Sequence, residues 1–366
     1  MRHMRPGLKR ALGIAFKTLL VLVLLAGAAF GAYVFNNLTY YDRAMAKVKR
    51  TGFVEKDVTI NGSKIHYAEG PANGPKLLLI HGQMMDWTNY ARVLPDLAEE
   101  YHVFVVDCYG HGKSEKDPEK YSAEAMGRDL AQFIQEVIRE PVVVSGHSSG
   151  GLLAVWLTAH HPEQIRGAVF EDPPLFTTLF PRAKKTFNYV DLSTACHRFL
   201  QQREERDFTL FYVKNSQLLK LFRDARPGLI RYAENYRKKH GDRPLRYWFM
   251  PPVMNEGFRT LPAYDPRFGV TFYDGSWNRG FDHAEALKKI DKPTVLILAH
   301  WSYDENGILL AAMDERDARR AHALMKNNEL IKVDSGHGFH FEKPREFVRI
   351  LLDFKERIDS GDPAES

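Results

Sequence analysis

Val142-Val-Val-Ser-Gly-His-Ser-Ser-Gly-Gly151 is the stretch from which the fold of this 366-residue chain can be read. Residues 142–145 are apolar or small and predict a short buried strand. Gly146-His147-Ser148-Ser149-Gly150 follows as a G-x-S-x-G pentapeptide, and residues 152–159 form an apolar, helix-compatible run. Such a pentapeptide recurs by chance in many chains; the strand before it and the helix after it give it meaning. The flanking glycines let strand and helix approach closely around a strained turn. The Ser148 hydroxyl is then held out at a helix N-terminus, where free N–H groups favour a developing negative charge.

Strand patterns continue on both sides. Residues 54–60 and 64–68 flank an Asn61-Gly62 turn signal. Residues 76–80, 103–107, 167–170, 293–298 and 329–333 are short apolar runs. Helical spacing occupies 87–98, 121–139, 315–325 and 344–358. Strands alternating with helices predict an α/β fold with a mostly parallel sheet covered on both faces. The alternation stops at Pro173 and resumes near residue 286. The intervening 175–285 predicts a mainly helical insertion, dense in aromatics such as Phe208, Phe211, Tyr212, Tyr247, Trp248, Phe249, Phe272, Tyr273 and Trp277. These predict either the lining of an apolar small-molecule pocket or the insertion's own core.

The formal charge of +5 is concentrated at the N-terminus. Arg2, Arg5, Lys9, Arg10 and Lys17 precede any acid, and without them 46 basic residues face 46 acidic ones. A basic nucleic-acid surface on the folded part is therefore not indicated. Residues 18–35 carry no charge and, as a helix, span roughly 27 Å, close to a hydrocarbon core. Cations on the N-terminal side predict a single-pass signal anchor with a cytoplasmic N-terminus and the rest exported. The alternative is a signal peptide cleaved near Ala26-Gly27-Ala28, which gives a secreted product. Cys108 and Cys196 are too few for a disulfide framework and read as free thiols.

Acyl transfer through serine needs a base, a group that orients the base, and oxyanion donors. His337 is the expected base. It lies in Ser335-Gly-His-Gly-Phe-His340, after the last strand and before the last helix, where sites in parallel sheets collect. His340 is its local competitor. Asp304, in the loop after the 293–298 strand, is the expected acid; Glu171 and Asp172, at the end of the 167–170 strand, are the alternatives. His81-Gly82-Gln83 follows a strand, so the main-chain N–H groups of Gln83 and Ser149 are the expected oxyanion donors. No ligand cluster has zinc spacing, and neither a metal nor an organic cofactor is expected.

Leu78-x-Ile80-His81-Gly82, Asp107-x-x-Gly110-His-Gly-x-Ser114, Gly146-His-Ser-x-Gly150 and Gly336-His337-x-x-His340-x-Glu342-x-Pro344 occur in this order. Together they resemble the α/β-hydrolase superfamily over residues 53–174 and 286–358. The resemblance implies an eight-stranded sheet, a triad in the chain order serine, acid, histidine, and a variable helical cap after the sixth strand. With the charge and apolar pattern of the N-terminus, it divides the chain into a cytoplasmic basic segment (1–17), a transmembrane anchor (18–35), a connector (36–52), the core in its two parts, a cap (175–285) and a tail (359–366). The chain departs from the pattern after the seventh strand. A short Gly-x-x-Asp loop is usual there, but Ala299-His300-Trp301 leads to an aspartate only at 304. Serine rather than aspartate at 148 argues against the epoxide-hydrolase and haloalkane-dehalogenase branches. The His-Gly-Gly-Pro-Gly run typical of proline iminopeptidases is missing. The expected activity is hydrolysis of an ester or related acyl bond on a small apolar substrate. The alternatives are a lyase or perhydrolase with the same triad, or a binding protein on the same scaffold. The oligomeric state is not legible.

Overall fold

The structure, a computed structural model, describes residues 6–361. Helix α1 runs unbroken from Pro6 to Thr51. The expected connector 36–52 is therefore helical, apart from Gly52. No glycine or proline interrupts residues 32–51, and one face docks on the rest of the protein, burying Asn37, Tyr40 and Val48. Gly52, at φ 96°, ends the helix. The apolar side chains from Leu12 to Phe35, apart from the half-buried Val34, instead lie exposed. By length and composition α1 can cross a membrane. Arg2 and Arg5, and residues 362–366 of the expected tail, lie outside the described residues.

Eight strands form one sheet: β1 (Val54–Ile60), β2 (Ser63–Glu69), β3 (Lys76–Ile80), β4 (His102–Val106), β5 (Val142–His147), β6 (Ile165–Glu171), β7 (Thr294–Leu298) and β8 (Asn328–Lys332). Their order is β1-β2-β4-β3-β5-β6-β7-β8. β1 pairs antiparallel with β2, and β2 with β4; every later pairing is parallel. Asn61 and Gly62 both take positive φ, as a two-residue hairpin turn requires. β4, β5 and β7 are buried along their whole length, because helices cover both faces of the sheet. One apolar layer includes Phe104, Phe133, Trp156 and Phe170; the other includes Tyr90, Tyr101, Phe347 and Leu351.

The chain between β6 and β7 is helical, with no strand among the described residues. Its aromatics mostly pack on one another. Phe208, Tyr212, Tyr247, Phe272 and Trp277 are buried, and Trp277 stacks on Phe272 at 4.9 Å; Trp248 stays 40% exposed. Most of the aromatic density is therefore the insertion's own core. Two helices differ from their sequence pattern. The stripe at 121–139 is an α-helix over Ala123–Phe133 that widens into a π turn at Ile134–Ile138. The last helix, Pro344–Ser360, outruns the expected 344–358 and takes in the first two residues of the expected tail. Cys108 and Cys196 are both buried and unpaired.

Candidate active site

Ser148 stands between the end of β5 and the helix Ser149–His160, at φ 54° and ψ −122°. A non-glycine residue at positive φ is costly, so its surroundings must enforce it. They do so through close backbone approach. A Cβ on Gly146 would lie 2.1 Å from the carbonyl oxygen of Gly150, and one on Gly150 would lie 2.2 Å from that of Ile80. The two glycines of the pentapeptide are thus fixed by contact distance. The Ser148 N–H donates to the Glu171 carbonyl at 3.0 Å, tying the turn to the end of β6. Ser148 itself is neither fully buried nor fully exposed.

The β3 loop closes against the serine from the other side. A Cβ on Gly82 would meet the Ser148 Cβ at 2.8 Å. Gln83 follows directly, and Ser149 is the first residue of the helix after Ser148, so both residues expected to supply oxyanion N–H groups flank the serine. The loop is held by buried polar contacts. The Cys108 N–H donates to His81 Nε2 at 3.0 Å, so His81 carries its proton on Nδ1, which lies 2.8 Å from the Gly82 carbonyl. Burial lowers the His81 imidazole to about 4, which keeps that ring neutral. The Asp107-to-Ser114 motif serves the same scaffold. Asp107 accepts from the N–H groups of Trp87 (2.7 Å) and Lys113 (2.8 Å), and Ser114 Oγ donates to the Asp107 carbonyl at 2.7 Å.

His337 reaches the site in the loop after β8. Its Nδ1 lies 2.6 Å from Asp172 Oδ2. His147, next to the serine, donates from Nε2 to the His337 carbonyl at 2.9 Å, which pins this loop beside the serine turn. The His337 side chain is crowded by protein yet 44% exposed to solvent. Burial alone would lower its affinity for a proton. The hydrogen bond and charge of Asp172 outweigh that, with Glu171 and Glu342 adding, and the imidazole is raised above its ordinary value. His147 moves the other way: burial, then the nearby His337 and His340, lower it well below the ordinary range.

The structure separates the three expected acids. Asp172 is buried at the end of β6, with φ 43°; besides His337, its carboxylate accepts from the Ala299 N–H at 3.3 Å. Glu171 faces the other histidine. Its carboxylate accepts from the His340 main-chain N–H at 2.8 Å and lies 2.8 Å and 2.9 Å from His340 Nδ1. His340 Nε2 lies 2.8 Å from Asn89 Oδ1, so both ring nitrogens are engaged away from the serine. Asp304 does not meet His337. It caps its own loop, accepting from the N–H groups of Asn306 (2.9 Å) and Ile308 (2.8 Å), and those bonds hold its carboxyl below the usual range. The extra residues after β7 carry the Asp304 side chain into a surface turn and leave the histidine to β6. His300, in the same loop, pairs with Asp334 at the surface.

Sequence reasoning passed over Asp86 and Arg259. Asp86 lies three residues beyond Gln83 and is gripped by both terminal nitrogens of the buried Arg259, at 2.9 and 2.8 Å. Burial alone would raise the Asp86 carboxyl; Arg259, with Thr88, holds it at about 2. The two residues stand 173 positions apart in the chain, and no local pattern announces their pairing.

Residues 77–350 match the model of the Alpha/beta hydrolase family, and the chain belongs to that family. A Bacillus subtilis protein provisionally named 2-succinyl-6-hydroxy-2,4-cyclohexadiene-1-carboxylate synthase is 24% identical, over 79% of this chain and 93% of that protein. Bifunctional epoxide hydrolase 2 of Sus scrofa is 30% identical over 82% of this chain; the chain spans only 55% of that protein's length. Among solved structures, a bacterial membrane phospholipase A superposes with a TM-score of 0.61 at 23% identity, covering 94% of this chain and 99% of that one. That likeness is one of fold.

Proposed function

We propose that the protein is a membrane-anchored serine hydrolase that cleaves an ester or related acyl bond through an acyl-enzyme on Ser148. The observation that carries this reading is the Asp172–His337 pair pinned beside a strained, glycine-flanked serine. In the proposed cycle Asp172 accepts from Nδ1–H of His337 and so presents a neutral Nε2 to Ser148. Nε2 takes the hydroxyl proton as Oγ attacks the acyl carbon. The N–H groups of Gln83 and Ser149 stabilise the oxyanion. Collapse expels the alcohol, which takes the proton from His337, and a water activated by the same base releases the acid. Asp172 is the acid of this proposal in place of Asp304. A serine at 148 supports acyl chemistry over the route of epoxide hydrolases, despite the pig relative.

The membrane placement rests on α1. Its exposed apolar side chains from Leu12 to Phe35 cover roughly 36 Å of helix and meet the rest of the protein only near their C-terminal end, where Phe30 lies against Trp248 and Tyr33 donates to the Phe249 carbonyl, while the other half of the helix docks on the domain. With Arg10 and Lys17 on the N-terminal side, the proposed orientation leaves the catalytic part on the exported side. An acyl ester with an apolar portion fits that location. A second reading, a lyase using the same serine and base, is favoured only by the synthase name of the Bacillus relative.

A series of nitrophenyl esters of rising chain length, followed in the pre-steady state with the full chain in detergent, tests the proposal. A burst of nitrophenol equal to the enzyme concentration, absent in Ser148→Ala, is the expected result. Serine labelling by a fluorophosphonate without turnover of any ester favours the lyase. Neither labelling nor turnover by folded protein points to a binding role.

A further inference from the structure

We propose that helix α1 is a positioning element of the active site as well as an anchor, acting on the loop that carries Gln83 through a buried chain of polar contacts. Tyr40, on the docked half of α1, donates from its hydroxyl to Glu256 Oε2 at 2.7 Å. Glu256 Oε1 accepts from Arg259 Nε at 2.6 Å. The two terminal nitrogens of the same guanidinium grip both oxygens of Asp86. Tyr41, the next residue of α1, lays its ring against that guanidinium at 4.6 Å. Tyr40, Glu256 and Arg259 are all buried. Beyond Asp86 the loop is held a second time by Thr260, the residue that follows the helix Pro252–Arg259, whose Oγ1 donates to the Met84 carbonyl.

The loop so held is the one that needs holding. Met84 takes φ 56°, a conformation that a non-glycine residue keeps only when its neighbours impose it. Gly82 is in contact range of Ser148, so a small shift of this loop moves the Gln83 N–H relative to the serine. Tyr40 also touches the segment that follows the proposed base. Its ring meets the edge of Phe341 at 5.9 Å, and Arg92 sits over Phe341 at 4.0 Å while donating to its carbonyl at 2.8 Å. Phe341 belongs to the short helix Phe339–Glu342 that directly follows His337 and Gly338.

The chemistry of the chain favours positioning over packing. Burying the Glu256 carboxylate and the Arg259 guanidinium, with Asp86 half-buried beside them, is a poor way to gain stability, because apolar side chains of similar volume fill such a space at no desolvation cost. A forked, two-point ion pair does fix distance and angle, which apolar contacts leave looser. The catalytic consequence rests on the serine-hydrolase reading above; the mechanical coupling does not.

The test uses the full chain in detergent and two near-isosteric variants, Tyr40→Phe and Glu256→Gln. The first readout is hydrogen–deuterium exchange of residues 82–88, with strand 142–147 as reference. The second is kcat and KM on a short nitrophenyl ester across pH. The expected result is exchange about tenfold faster at 82–88 and unchanged at 142–147. With it, kcat should fall about tenfold, with KM within twofold and the acid limb of the pH profile unmoved, because a displaced oxyanion donor weakens only the transition state. Unchanged exchange at 82–88 in both variants overturns the coupling. Faster exchange with wild-type kcat overturns its catalytic role. If exchange changes as expected while the wild-type serine proves inert, the coupling stands and the serine-hydrolase reading fails.

Discussion

Asp172 Oδ2 and His337 Nδ1 meet at 2.6 Å across 165 residues of chain, joining the end of β6 to the loop after β8. In the proposed mechanism this pair gives His337, acting as the base, a defined tautomer. It implies a sharp contrast between two aspartates. Asp172→Asn should lower kcat about 10³–10⁴-fold, because the amide cannot hold the imidazole in that tautomer. Asp304→Asn should stay within about twofold, since its carboxylate only caps a surface turn. Steady-state kinetics on a single ester decides between them. A large loss in Asp304→Asn with little in Asp172→Asn returns the role to the loop after β7.

The same pair sets the pH dependence. His337 must be neutral to accept a proton, and Asp172 raises its pKa. The kcat/KM profile should therefore climb through an acid limb centred above the ordinary imidazole value of about 6.5. As pH falls through that limb the base is protonated and activity is lost. In Asp172→Asn the residual activity should show the limb displaced downward, because the stabilising charge is gone while burial remains. A limb that stays in place, or moves up, contradicts the assignment.

Glu171 predicts a different phenotype from its neighbour. It is wholly buried against His340, with three contacts to that residue. Glu171→Gln removes one of the two oxygens that face His340 and should cost about 1–3 kcal/mol of stability. Thermal unfolding reads that loss. Activity per folded molecule should fall far less than in Asp172→Asn, since His340 faces Asn89 rather than the serine.

Gly82→Ala tests the closeness of the oxyanion-side loop. Its added Cβ would sit 2.8 Å from the Cβ of Ser148 and 3.0 Å from His147 Nδ1, so loop or serine must move. A displacement near 1 Å is enough to cost about 100-fold in kcat. Thermal melting near the wild-type value alongside that loss separates misplacement from unfolding.

Much of this architecture is visible in the sequence because its signals are local. Strand runs such as 76–80 and 142–145, the Asn61-Gly62 turn and the glycines around Ser148 each act within a few residues. The glycine pattern foretells the backbone contacts seen at Gly146 and Gly150. The partner of His337 is not local. Glu171, Asp172 and Asp304 all lie just after strands, and only the paths of the loops decide which carboxylate arrives. Asp304 caps a turn of its own, whereas Asp172 meets His337. The buried clamp of Arg259 on Asp86 was illegible for the same reason. The connector at 36–52 looked like a linker because its composition is polar. Its docked face is made of a few well-spaced residues, Asn37, Tyr40 and Val48, whose partners lie far away in sequence.

The most direct measurement is the intact mass of the purified full chain after reaction with a fluorophosphonate, with the modified residue located by peptide mapping. An activated serine is predicted to take up one phosphonyl group on Ser148, with none in Ser148→Ala and much slower uptake in Asp172→Asn than in Asp304→Asn. Folded wild-type protein that stays unmodified, or a Ser148→Ala variant that is modified equally, would contradict the account.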